Sequence, residues 1–136
     1  MRSLHLSSQE VQSLLNHAEE ELPKESVSLL FGYEKGEEYH VQRVFHMANT
    51  LNSTTRFQVD PEQLYSLLVE AEEHDEVLVA IFHSHPAPPQ PSTSDLANMR
   101  LNPVVWVVAS KVTGSWLYKG YFLQDDELSE VELVII

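Results

Sequence analysis

Apolar residues return along this chain at two spacings, and the spacing changes at recognisable punctuation. Val11, Leu14, Leu15, Ala18 and Leu22 keep the three- and four-residue step of a helix with one buried face. Ser7 with Glu10 offers a capping box at its start, Leu6 is placed to staple against Val11, and Pro23 ends it. Met1 to Leu6 reads as a short strand or arm. Glu25 to Tyr33 follows period two, so Glu25, Val27, Leu29 and Phe31 share one face of a strand. Lys35-Gly36 turns the chain into a second strand, Tyr39 to Met47. Ala48 to Val59 is polar and reads as a loop. Asp60 caps and Pro61 opens a second helix, whose apolar stripe is Leu64, Leu67, Leu68 and Ala71.

The second half is more apolar and more sharply broken. Val77 to Phe82 is a continuous apolar run, as expected of a strand buried on both faces. Pro86 lacks the N–H a ladder needs and stops it. A short helix runs from Ser92 to about Leu101-Asn102-Pro103, and Val104 to Ala109 is another buried strand. Ser115 to Leu123 reads as a strand, Gln124-Asp125-Asp126 as a break, and Val131 to Ile136 as a last short strand. Trp106, Trp116 and the tyrosines read as core or edge packing, and His40 and His46 as structural or surface histidines. Alternating helices and strands predict an α/β fold: one domain over residues 1–136, with a curved mixed sheet flanked by helices.

Composition narrows the function classes. A chain of 136 residues can bury one proper core. Its formal charge of -13 repels phosphate backbones, so nucleic acid is not expected as a partner; most of the acidic residues read as a solvated surface. No segment approaches the roughly 20 apolar residues of a membrane span, and the start lacks the pattern of a signal peptide. The absence of cysteine removes disulfides and thiolate metal sites, and suits a cytoplasmic protein.

The candidate chemistry sits where the apolar run ends. His83 and His85 are two residues apart on a strand, so they point to one face, roughly 6.6 Å apart at the backbone. The proline-rich turn then brings back Ser92 and Asp95, a Ser-x-x-Asp step that opens a helix. Asp95 in that first turn would face the histidines. Two imidazoles and a carboxylate suit one zinc ion per chain, with a fourth tetrahedral position open to water. The simpler account of Ser92 and Asp95 is a helix cap, and of a histidine pair, surface or satisfied core.

Glu25, then His83-Ser84-His85-Pro86, then Ser92-Thr93-Ser94-Asp95, resembles the motif of the JAMM (MPN+) zinc metallopeptidases. The likeness spans nearly the whole chain, with a loop after His85 one residue shorter than is usual and Ser28 where a glycine is common. The resemblance implies a minimal domain of that fold, whose layout is broadly like that of the nucleobase deaminases. It implies zinc on His83, His85 and Asp95, Glu25 as general base, and Ser92 as donor to the oxyanion. It also implies cleavage of the isopeptide bond after the tail of ubiquitin or a ubiquitin-like modifier, with Asn52, Ser53, Thr54 and Thr55 bordering the groove for that tail. A deaminase would need Pro-Cys-x-x-Cys, which a chain without cysteine cannot supply. A JAMM peptidase freeing an amino acid from a sulfur-carrier protein and a zinc-binding scaffold without turnover stay open, as does membership of a larger proteolytic assembly.

Overall fold

The computed structural model describes residues 1–86 and 88–136. Among them the chain runs β1 (Ser3–Leu6), α1 (Ser8–Glu21), β2 (Val27–Lys35), β3 (Glu38–Met47), α2 (Pro61–Glu73), β4 (Val77–Ser84), α3 (Thr93–Leu101), β5 (Val105–Ser110), β6 (Leu117–Gln124) and β7 (Glu127–Ile135). The helix starts follow their caps. Ser7 Oγ accepts from Glu10 N–H at 3.0 Å, and Glu10 Oε1 accepts from Ser7 N–H at 2.8 Å, so two otherwise orphaned donors are satisfied. Asp60 accepts from Glu62 N–H, with Pro61 at the first helical position. Ser92 and Asp95 form a second capping box at α3.

The strands pair in the order β1-β3-β2-β4-β5-β6-β7, and β1 also pairs with β7, so the sheet closes into a barrel. The sheet is mixed, as expected: β1 runs parallel to both neighbours, β4 runs parallel to β5, and the other pairs are antiparallel. The sequence points to a curved mixed sheet; its closure into a barrel was not anticipated. The closing strand, β1, has four residues and pairs with segments distant in the chain, which local periodicity does not register.

Strand β7 also starts earlier than Val131, because Asp125 and Asp126, at φ 52 and 61, make a two-residue turn that pairs Gln124 with Glu127. Its first four residues are exposed, so no apolar alternation marks them.

Two apolar clusters lie on the two sides of this sheet. One draws on all seven strands, with Leu4, Leu30, Tyr39, Phe82, Val107, Phe122 and Val131, and fills the barrel against Leu14 and Ala18 of α1. The other lies outside, where Leu29, Phe31, Ile81, Trp106 and Val108 meet Ala71 of α2 and Met99 of α3. Burial on both faces explains the unbroken apolar runs of β4 and β5. Leu68 and Tyr65, expected in the α2 stripe and in packing, are exposed instead. Gly32 marks a register shift between β2 and β3, where an added Cβ would collide with the His40 carbonyl. Among the described residues, no helix is long and apolar enough to cross a membrane.

Candidate metal centre

Strand β4 carries His83 outward on the side of Ile81 while Phe82 points into the barrel. His83 is fully buried, at 0% exposure. The ring of Phe57 lies 5.0 Å from it and that of Trp106 stands edge-on at 5.9 Å. His85 follows just past the strand end, its ring 5.3 Å from that of His83. Its N–H donates to the Ala109 carbonyl at 3.0 Å, and its Nε2 lies 2.9 Å from the Gln90 carbonyl oxygen.

Asp95 reaches the pair from the first turn of α3. Its Oδ2 lies 3.3 Å from His83 Nε2 and 3.8 Å from His85 Nε2, and also accepts from the Ser92 N–H at 2.9 Å. The donor atoms offered by His83, His85 and Asp95 all lie within 4.8 Å of one another. On the far side of His83, Nδ1 is 3.6 Å from Glu25 Oε1. These are ion contacts rather than directed hydrogen bonds: among the described residues, neither nitrogen of His83, nor Glu25 Oε1, has a hydrogen-bond partner. Buried polar atoms left so are costly and uncommon, and they point to a ligand. Two imidazoles and a carboxylate match the donor preference of zinc, so the residues present fit the metal.

The electrostatics follow from this packing. Burial disfavours a charged His83, but Asp95 and then Glu25 outweigh it, and the ring's pKa is raised to about 9. Burial likewise pushes the Asp95 carboxyl up; His83 and the Ser92 cap overcome that and hold it below its ordinary value.

Glu25 is buried but does not sit on a strand face as anticipated, because β2 begins at Val27. A loop holds it instead. Glu25 N–H donates to the Ser53 carbonyl at 2.9 Å, and Asn49 Nδ2 donates to the Glu25 carbonyl at 3.0 Å. Ser92 is the exposed N-cap of α3, its Oγ accepting from Asp95 N–H at 3.1 Å and lying 3.2 Å from Ser94 Oγ. The helix cap and the metal-facing carboxylate are therefore one local device. Asn52, Thr54 and Thr55 form an exposed tip, and Ser53 Oγ accepts from the N–H groups of Thr55 and Arg56.

Three features escaped sequence reasoning. Asn49 is buried and knots the loop: its Nδ2 also donates to the Arg56 carbonyl, and its Oδ1 accepts from Leu51 and Gln58. Phe57 covers His83; the signal was an aromatic stranded in a polar stretch. Ser26 and Ser84 share a buried 2.8 Å hydroxyl contact, which ties the residue after Glu25 to the residue between the histidines. Two clefts flank the centre. One of about 290 Å³ lies between Pro23, Lys24, His85, Lys111, Val112 and Trp116. The other, about 140 Å³, runs beneath Phe57 and Val59 against Val27 and Trp106.

Comparison with known proteins shows which family and fold the chain shares. Residues 7–119 match the sequence profile of Prok-JAB, the prokaryotic homologs of the JAB domain. A Pyrococcus furiosus protein named desampylase is 39% identical over 106 residues, covering 76% of this chain and 74% of that protein. The solution structure of a Desulfitobacterium hafniense protein superposes with a TM-score of 0.83 at 28% identity, over 98% of this chain and 92% of that one.

Proposed function

Because this chain belongs to the prokaryotic homologs of the JAB domain, we propose that it is a zinc-dependent isopeptidase that hydrolyses the bond after the C-terminal tail of a ubiquitin-like modifier. The observation that carries this reading is the buried group His83, His85 and Asp95 with Glu25 beside it, in which three polar atoms lack hydrogen bonds among the described residues. The relative's name, desampylase, denotes removal of a ubiquitin-like modifier from its conjugates and supports the substrate class.

His83, His85 and Asp95 would hold the metal; when bound, it supplies Lewis acidity toward the scissile carbonyl and the attacking water. Glu25 takes a proton from that water at its unpaired Oε1 and returns it to the departing amine. The Ser92 hydroxyl, exposed at the head of α3, donates to the oxyanion as it develops. The loop tip of Asn52, Ser53, Thr54 and Thr55 lines the approach of an extended tail, which main-chain pairing holds without a deep pocket. The protein acts as a single domain in the cytoplasm on modifiers and their conjugates.

The test is zinc content measured beside cleavage of a ubiquitin-like fusion with a Gly-Gly tail. Glu25→Gln keeps zinc and fold and loses about 10²–10⁴ in turnover. Ser92→Ala loses about 10²–10³ in kcat with a smaller change in KM. Zinc-loaded parent protein that cleaves no ubiquitin-like fusion or conjugate would overturn the assignment in favour of a zinc-binding scaffold.

A further inference from the structure

A second group of metal-ligating side chains lies on the outside of the barrel seam, away from the buried centre. Strands β1 and β3 run parallel with Ser3 opposite Glu38 and His5 opposite His40. Leu4, Leu6 and Tyr39 point into the barrel, so Ser3, His5, Glu38 and His40 point out on one face. The His5 and His40 rings stack at 4.4 Å, and Tyr33 backs the other side of His40 at 4.7 Å. Both Nε2 atoms turn toward one carboxylate oxygen: Glu38 Oε1 is 2.9 Å from His40 Nε2 and 4.0 Å from His5 Nε2. The ligand atoms of His5, Glu38 and His40 lie within 4.8 Å of one another.

We propose that His5, Glu38 and His40 form a second divalent-metal site, which takes zinc or a similar borderline cation and clamps the first strand of the barrel to the third. The donor chemistry selects the ion. Two imidazoles and one carboxylate favour zinc, nickel or copper over calcium or magnesium, which want oxygen ligands. The side chains of His5 and His40 are only 18% and 23% exposed, held in place by stacking, while Glu38 is open to solvent at 53%. An ion can therefore enter without unfolding anything. The net charge of -13 favours cation approach.

The consequence is mechanical. Strand β1 has four residues, and His5 joins a ligand pair more than thirty positions away in the chain, at Glu38 and His40. Metal bound to the folded barrel and not to the unfolded chain stabilises the closed form by mass action. This site is the weaker of the two. His5 Nε2 lies 2.9 Å from Ser3 Oγ and His40 Nε2 2.9 Å from Glu38, so a metal must displace existing hydrogen bonds, whereas among the described residues the buried His83 nitrogens make only ion contacts.

The experiment is a zinc titration of the metal-free full chain, read by bound-metal analysis and by the imidazole nitrogen resonances of the histidines. The parent is expected to take up about two equivalents of zinc, and His5→Gln/His40→Gln and Asp95→Ala about one each. In Asp95→Ala, zinc should shift the His5 and His40 resonances and raise the thermal midpoint, and both effects should vanish when His5→Gln and His40→Gln are added. Both histidines are partly exposed, so the double variant is expected to fold; Glu38→Gln, which keeps the shape and removes the charge, gives a second check by weakening the site. A parent that saturates at one equivalent with the His5 and His40 resonances unmoved overturns the proposal, as does a double variant that binds as much zinc as the parent. Failure of the buried centre alone would show differently, as Asp95→Ala binding no less than the parent.

Discussion

Asp95 answers two demands with one oxygen. Its Oδ2 closes the capping box on Ser92 and faces both histidines. Asparagine keeps an acceptor for the cap but gives up the negative charge, and alanine removes both. Asp95→Asn is therefore expected to lose zinc and keep the fold and the cap, while Asp95→Ala also loses the cap, at a further cost of about 1 kcal/mol, the usual worth of such a cap. Metal analysis and a thermal scan of the two variants separate the roles; full zinc in Asp95→Ala would leave only the cap. His83 makes the second prediction. In zinc-free protein its pKa of about 9 stands above the ordinary 6.5, so the charged ring is favoured by folding. That stabilisation is complete below about pH 6.5 and is lost as pH rises through about 9. After chelation the thermal midpoint should decline over that window, and with zinc bound it should not, because the metal takes the proton's place. At this scale the sequence was informative: spacing alone brought His83, His85 and Asp95 together. Glu25 stood out as a carboxylate among apolar positions and took its role from family resemblance, but its setting was hidden, because what positions it comes from Ser53 and Asn49, more than twenty residues away.

The elements differ in how openly they are written. α1, α2 and α3 begin at caps whose bonds the structure contains, so their starts followed from side-chain chemistry. The buried strands β4 and β5 followed from unbroken apolar runs. The start of β7 did not, because its exposed residues have no partner face to match. The segment from Ala48 to Val59 follows its reading as a loop, and the structure adds a defined path that polarity alone does not specify. Asn49 gives it a fixed path through bonds to four other loop positions and to Glu25. Asn49→Ala should cost about 1–3 kcal/mol for the buried main-chain groups left unpaired. It should also lower kcat with zinc content unchanged, because the backbone of Glu25 loses a tether. A variant as stable and as active as the parent would show the knot to be dispensable. Replacing Ser53, Thr54 and Thr55 by proline removes main-chain donors from the loop tip and tests the tail-pairing role; KM should rise with zinc still in place.

At the scale of the whole molecule, the connection from β5 to β6 is short, spanning residues 111–116, and offers no long insertion beside the cleft of Lys111 and Trp116. Recognition should therefore rest on the modifier's tail and ignore the protein behind the lysine. Chains of different linkage, assayed side by side, are expected to be cut at similar rates or all poorly; a strong preference for one linkage would contradict this. Barrel closure was the largest feature hidden from the sequence, because β1 and β7 are the parts least marked by periodicity and parallel pairing leaves no turn to read. It reaches beyond the catalytic question. A closed sheet presents no unpaired backbone rim, and here two pairings of one four-residue strand complete the ring. Loss of β1 would uncover β3 and β7 together, giving each molecule two sticky borders of complementary direction. Such molecules can join head to tail without ever closing. The expected signature of a chain lacking its first six residues is thus not a smaller enzyme with lower activity but a ladder of growing oligomers on sizing. A synthetic peptide carrying the missing segment should dissolve that ladder by taking its old place between the two borders.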